Sequence, residues 1–547
     1  MVLLVNPIGN FPLNDDWVYG RTVYSLVEEG RLRFSVLITP SLIAQVFWGA
    51  LFCLPFGFSF TALRLSTLSI SLIGIFAVYG LLREIKASQA IAFLGALVVA
   101  TNAIYFELSN TFMTDVPFFA FTMLSLLFLL RGIRRETKLE LLIGFSLACV
   151  ATFIRQIGII IPLSFGITYL VKNGIGKNTL RTAVLPATVV VGGLIAYQMW
   201  LHSTLGLPAH HNTWSYELLV SLKAPIRSVI IDFGRRGAGA MVYLGLFLLP
   251  FLIGVIPHQW KSVSTREGLR IIWISSGFLV VLIGGLLWKK ELMPFSGNIL
   301  FDIGLGPPTL RDVSVLRLPH LPSAPKTLWL LITVAGVIGA AALLQSLCSA
   351  LFQLSRCRKN AESLATKWPV VLIISACALY FVPLGLLGFY DRYLLFFLPL
   401  LMMLTIVTSR SSVQLHVSRL SAFILVALLA VYGAFTVGAT HDYLSWNRAR
   451  WSALRYLTEE AHISYKRIDG GYEFNGWFGY GSEYQASHER SWWWVDKDDY
   501  VISFGPLIGY EEIKRYPYKR WVPFGQGNIL VLHRLPGSSH QTSTLNK

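Results

Sequence analysis

Charge is scarce in this 547-residue sequence: only 14% of its residues are Asp, Glu, Lys or Arg, and more than half are apolar. An average soluble domain carries about 25% charged residues, so an ordinary soluble fold is excluded and a polytopic membrane protein is indicated. Cysteine is sparse too, at five residues. Cys53, Cys149, Cys348 and Cys377 lie in or beside apolar segments and Cys357 in a basic loop, so no disulfide framework is implied. Acids are outnumbered, 29 against 46 Lys and Arg, giving a formal charge of +17. That excess could suggest nucleic acid, but it falls in short clusters between apolar runs: Arg131, Arg134, Arg135 and Lys138, or Arg356, Arg358 and Lys359. Such clusters are the positive-inside signature of cytoplasmic loops, which gives a nucleic-acid partner little support.

Apolar runs long enough to cross a bilayer read as 62–82, 89–106, 116–131, 139–154, 157–171, 181–201, 238–257, 270–288, 327–349, 369–388, 393–408 and 420–439. Assigning alternate loops to opposite sides gathers the basic clusters on one face, the cytoplasm. The other face receives Asp15-Asp16, the 107–115 loop, residues 202–237 and 289–326, Tyr390-Asp391-Arg392 and the C-terminus. The apolar stretch 37–58 would break this parity as a thirteenth span, and reads instead as an interfacial helix bounded by Pro40 and by Pro55-Phe56-Gly57. The stretch before Asp15 reads as too short for a signal peptide or a first membrane helix.

From His441 the composition turns polar and aromatic, with a helical pattern over 446–457 and short strands at 500–504 and 528–533. The expected fold is therefore an α-helical polytopic membrane protein of about twelve transmembrane helices plus an interfacial helix, with a small C-terminal α/β soluble domain. Its parts divide as an outer-face loop (1–61), a transmembrane domain (62–440), an extracytoplasmic α/β domain (441–535) and a disordered tail (536–547). The tail domain gathers Trp477, Tyr480, Tyr484 and Trp492-Trp493-Trp494 beside Glu473, Asn475 and Glu483. Such a set either stacks a glycan acceptor or forms the core of the small domain.

Asn14-Asp15-Asp16-Trp17 carries two adjacent carboxylates that gain nothing from each other and cannot enter hydrocarbon. The simplest reading is Asn14 as N-cap with two acids at the positive end of a helix dipole, worth about 0.5–1 kcal/mol. The functional one makes one carboxylate a proton acceptor from an incoming nucleophile, while the other orients it or helps hold a divalent metal. Asp115 stands where one span turns into the next, either as a cap before Pro117 or as a second acid on the same face. Arg155 interrupts a long uncharged stretch at a cost of about 2.5–3.5 kcal/mol at the bilayer centre, less if it snorkels. It suits a phosphate at the headgroup level, as does Arg392 in Tyr390-Asp391-Arg392-Tyr393-Leu394-Leu395.

Together these motifs resemble the glycosyltransferase C superfamily, in the branch of the protein O-mannosyltransferases and the lipid A aminoarabinose transferase. The shared features are an acidic pair in the first outer loop, a further acid in the next, and a late Arg-Tyr-Leu-Leu segment followed by Pro399. Residues 446–451 and 468–477 look like bacterial members of uncharacterised specificity. The resemblance implies a membrane glycosyltransferase that moves a sugar from a polyprenyl-phosphate donor to a hydroxyl of a lipid, glycan or protein acceptor. Transfer would occur with inversion on the outer side of a bacterial inner membrane.

In that scheme Asp15 is the base, supported by Asp16 and Asp115. Arg155 and Arg392 hold the donor phosphate, and Tyr19 and Tyr393 line the substrate. Relatives of the aminoarabinose enzyme have a Glu-Lys pair before a proline for metal and phosphate, where this chain reads Leu37-Ile38-Thr39-Pro40. The competing class is a transporter or flippase, but the spans hold almost no acids and no internal repeat is visible.

Overall fold

The computed structural model describes every residue except 35–36, 38–41, 205–219, 221–222, 261–265, 290, 358–364, 409–418, 481–492, 496 and 537–547. Among the described residues, eight helices are long and apolar enough to cross a membrane, or nine if the bent pair Gln89–Ala100 and Ala103–Ser109 counts as one span. Each of the twelve expected segments is helical; of the three that this count leaves out, Arg266–Lys289 has 24 residues but a shorter apolar part, Leu269–Gly285, and the other two are short helices. Lys138–Thr152 and Ile160–Asn173 have 15 and 14 residues, short of the roughly 17 that a perpendicular crossing needs. They flank the turn that carries Arg155, and their shortness leaves that turn level with Asp115, the first residue of the Asp115–Arg135 helix.

The ends of the bundle are chemically distinct. Phe60–Glu84 is capped by the Ser59 hydroxyl, which accepts from the Ala62 amide, and at its far end Glu84 takes hydrogen bonds from Arg131 Nε at 2.8 Å and Arg134 Nη1 at 2.9 Å. Lys172 joins the same end through the Ile133 carbonyl. The helices that carry Asp115 and Arg155 at one end thus carry the basic clusters at the other, as the alternation of loops requires. The bent pair breaks by 63°. There the Asn102 side chain caps the second helix at the Tyr105 amide, and the Thr436 hydroxyl bonds to the freed Thr101 carbonyl.

Ile43–Cys53, at eleven residues, is too short to cross, as the interfacial reading requires. Gln45, Val46, Gly49 and Cys53 face inward, while Phe47, Leu51 and Leu54 are exposed. Asp391–Thr408 is the most enclosed span, with 94% of its apolar window buried against 11% for Lys177–Thr204. It therefore forms the axis on which the site is built.

A two-stranded antiparallel hairpin, β1 (Leu300–Phe301) and β2 (Gly304–Leu305), lies on the site side of the bundle. The last helix, Arg419–Arg455, runs without a break from the membrane into the C-terminal part, so residue 441 falls inside it. A four-stranded sheet packs against its extension: β3 (Ile468–Asp469), β4 (Tyr500–Ser503), β5 (Tyr510–Trp521) and β6 (Phe524–Arg534), in the order β3-β4-β6-β5. Only the β3–β4 pair is parallel. The core between them combines Trp446, Leu454, Ile502 and Val531 with Phe11 and Leu13 from the start of the chain and Phe106 from the bent span. The tail and the first loop thus share one hydrophobic core, and Trp477, Tyr480 and Trp494 pack against Trp17 and Phe60. That packing favours the core reading of these aromatics; Glu483, Tyr484 and Trp492 lie outside the described residues.

Candidate active site

Asn14 adopts φ +53°, a left-handed conformation that Asn tolerates better than most residues, and turns the chain just before the Asp16–Glu28 helix. Leu13 enters the core on one side of this turn. On the other, the two carboxylates diverge, because successive helical residues differ by about 100°.

Asp15 keeps an accessible side chain, 28% exposed, with Oδ2 3.7 Å from Arg392 Nη2. Tyr472 donates its hydroxyl to Oδ1 at 2.9 Å. Asp16 turns inward and is fully buried. Its Oδ1 accepts from the Phe112 amide at 2.8 Å, while Oδ2 has no hydrogen-bond partner among the described residues. Burial pushes its carboxyl up to about 8, against the pull of Arg64 and the backbone amide. Burial thus favours the protonated form of Asp16, and the expected pair of acids is split into one that faces the site and one that does not.

Three further segments meet Asp15. Asp115 Oδ1 lies 2.5 Å from Arg155 Nη1, and its Oδ2 lies 3.9 Å from Arg392 Nε. Arg155 sits over the Tyr393 ring at 4.6 Å, and Arg392 approaches the same ring at 5.6 Å. Tyr393 is itself buried and acts as a shared cation–π plate beneath the two guanidinium groups. Tyr19 lies beside this cluster, and burial together with Asp15 pushes its hydroxyl up, so it remains a donor.

Asp391, next to Arg392, serves the backbone: it accepts from the amides of Asn298, Ile299, Leu300 and Arg392. That fixes the 298–300 loop and the start of the Asp391–Phe396 turn from which Arg392 projects. Arg392 is 8% exposed, and its Nε and Nη1 have no hydrogen-bond partner among the described residues. A buried guanidinium with unused donors is poised for an anion.

Sequence reasoning missed several residues. Arg64 is fully buried and donates to the carbonyls of Pro7, Gly9 and Phe11, which shapes the first loop. Glu107 is buried in the bent span with neither oxygen bonded among the described residues. Thr309, from the loop that follows β2, and Arg450 and Tyr472, from the C-terminal part, also reach the site, together with Glu473, which the sequence singled out only as a possible glycan contact. An arginine in the apolar Phe60–Glu84 segment and a glutamate in 89–109 were visible as charges in spans, whereas the contacts of the tail had no such signal.

Among the described residues no group of three His, Cys, Asp or Glu side chains is arranged to hold a metal ion. Asp15 and Asp115 have Arg392 between them, a cation where a bridging metal would have to sit. The Ile38–Pro40 part of the segment that departs from the Glu-Lys pattern lies outside the described residues. Two surface grooves, one lined by His441, Arg448 and Lys519 and another by His320, Arg520 and Asn528, share no residue with the acidic cluster.

The fold and this cluster define a multi-pass membrane protein with an acid–arginine site at one end of its helix bundle. Residues 43–201 match the family model described as dolichyl-phosphate-mannose-protein mannosyltransferase, and the chain resembles the glycosyltransferase C superfamily. No curated protein matches the sequence. Among solved structures, the chain is similar to the ArnT of Cupriavidus metallidurans bound to undecaprenyl phosphate, with 12% identity and a TM-score of 0.41 over 86% of this chain and 80% of that one. It is also similar to the apo oligosaccharyltransferase of Archaeoglobus fulgidus, with 14% identity and a TM-score of 0.38 over 82% of this chain and 55% of that one.

Proposed function

We propose that this protein is a membrane glycosyltransferase that moves a sugar from a polyprenyl-phosphate donor to an acceptor hydroxyl at the outer face of a bacterial inner membrane. The observation that carries this reading is the convergence of Asp15, Asp115, Arg155 and Arg392, from four separate segments, at the end of the bundle opposite the basic clusters. The reaction needs a base for the acceptor and cations for the departing lipid phosphate.

Asp15 is the accessible carboxylate and takes the acceptor proton as its oxygen attacks the anomeric carbon. The bond from that carbon to the donor phosphate breaks on the opposite side, which inverts the configuration. Arg392, with unused buried donors, receives the phosphate. Arg155 is already paired to Asp115 at 2.5 Å and supports the site by holding that acid in place. Tyr19 lines the substrate beside Asp15, while Tyr393 backs the arginines. The match of residues 43–201 to the mannosyltransferase model supports the same class. The C-terminal sheet lies on the site side and is therefore extracytoplasmic in this reading.

Purified protein in detergent, given a polyprenyl-phosphate sugar and an acceptor, should release the polyprenyl phosphate and form a glycoside of inverted configuration, both readable by mass spectrometry and NMR. A transporter or flippase needs two compartments and would consume no donor in detergent. Failure to turn over any donor whose unused lipid-linked form accumulates in a deletion strain would refute the transferase reading.

A further inference from the structure

The acidic loop is held by residues that arrive after the last span. Gly471 adopts φ +87°, and a Cβ there would meet the Thr309 carbonyl oxygen at 2.5 Å, so the turn before Tyr472 depends on glycine. The Tyr472 amide donates to that same carbonyl at 3.0 Å. Glu473, fully buried, accepts from the Asn14 amide at 2.9 Å and from the Thr309 hydroxyl at 2.6 Å. Its charge is matched by Arg450 Nη1 at 2.7 Å, with both side chains wholly enclosed. Arg450 Nε in turn donates to the Gly470 carbonyl at 2.8 Å.

This latch ties the residue before Asp15 to the C-terminal part and brings the Tyr472 hydroxyl to 2.9 Å from Asp15 Oδ1. Burial and the neighbouring Asp15 push the Tyr472 hydroxyl up, so it stays a donor across the working pH range.

We propose that Tyr472 is a positioning residue for the transfer reaction: its hydroxyl fixes the Asp15 carboxylate through Oδ1 and leaves Oδ2 directed toward Arg392 and the reacting groups. The inference rests on the reading of Asp15 as the base. A carboxylate that is 28% exposed and has no other side-chain hydrogen bond among the described residues could rotate about its side-chain bonds. One bond to a rigid ring removes that freedom before the acceptor arrives. The ring is locked by edge contacts with Trp17 at 5.8 Å and Trp493 at 5.9 Å. The part of the chain beyond the membrane is, on this view, a component of the active site rather than an appendage to it.

Tyr472→Phe keeps every ring contact and removes only the hydroxyl, so it isolates the positioning effect from packing. In donor turnover assays kcat should fall roughly ten-fold or more, the scale of one hydrogen bond to a charged group. The donor KM should stay within about two-fold and the thermal midpoint should be unchanged. Wild-type kcat in this variant, or a loss of kcat that only follows a loss of folded protein, would overturn the proposal. Asp15→Asn assayed in parallel separates the two readings. If it is inactive while Tyr472→Phe is normal, only the positioning role fails; if it is fully active, the catalytic reading of Asp15 fails first.

Discussion

Arg155 and Asp115 form the tightest ion pair of the site, 2.5 Å apart, whereas Arg392 comes no nearer than 3.7 Å to Asp15 and 3.9 Å to Asp115. Two arginines that look equivalent in the sequence are thereby given different tasks. Arg155 is neutralised locally, while among the described residues Arg392 Nε and Nη1 have no hydrogen-bond partner, which under the proposed function leaves them for an incoming anion.

Lysine substitution should expose this division. Arg392→Lys keeps the charge but loses the planar fork, so the donor KM should rise roughly ten-fold or more. Arg155→Lys should change the donor KM much less. Equal effects of the two variants on donor titrations, or none from Arg392→Lys, would contradict the assignment.

Asp115→Asn addresses the same pair from its other side. It leaves Arg155 without its counter-ion, and breaking a buried pair in this way costs about 3–5 kcal/mol when both groups are enclosed. Arg155 is 21% exposed, so a loss of roughly 2–3 kcal/mol is expected here once solvent screening is allowed for. A lowered midpoint in thermal or denaturant unfolding would show it, and an unchanged midpoint would mean that Asp115 is not the partner that stabilises Arg155.

Asp16 gives a pH dependence of opposite sign to the usual carboxylate. In the unfolded chain it ionises near pH 4, while in the folded protein its carboxyl is pushed up to about 8. Between those values the folded state binds more protons, so stability falls as pH rises through this window and levels off above it. Asp16→Asn removes that titration and keeps an acceptor for the Phe112 amide. Its advantage over wild type should be absent at about pH 4 and greatest above pH 8, with turnover retained. Parallel midpoint–pH curves for the two proteins would rule out the buried, protonated Asp16.

What the sequence disclosed and what it withheld follow from one physical rule. In a chain of lipid-facing residues a charge is costly, so Asp15, Asp115, Arg155 and Arg392 stand out and the bundle brings them together. That rule cannot say which of two adjacent acids turns inward; the φ of Asn14 and the helical rotation after it decide that. Nor does it apply to the tail, where polar residues are ordinary. The bond from Tyr472 to Asp15 spans 457 positions, and neither periodicity nor motif spacing carries information over that distance. The short helices beside Arg155 were legible as apolar runs, but the reason for their length, a turn drawn down to Asp115, was not.

The shared core of tail and first loop makes the C-terminal part indispensable. Removal of residues 441–547 would expose Leu13 and Phe106 and delete Tyr472, Glu473 and Arg450 together. The truncated protein should fail to bind donor in equilibrium titrations, even with a small acceptor present. Retained donor binding by a folded truncation would show that the membrane part builds the site alone.

Turnover by Asp15→Asn in detergent, with a polyprenyl-phosphate sugar that the wild-type protein consumes, tests the central claim most directly. Asn preserves shape and the bond from Tyr472 but cannot take the acceptor proton, so the rate should fall by roughly 10²–10⁴, with donor binding and thermal midpoint close to wild type. Wild-type turnover in this variant would contradict the assignment of Asp15 as the base.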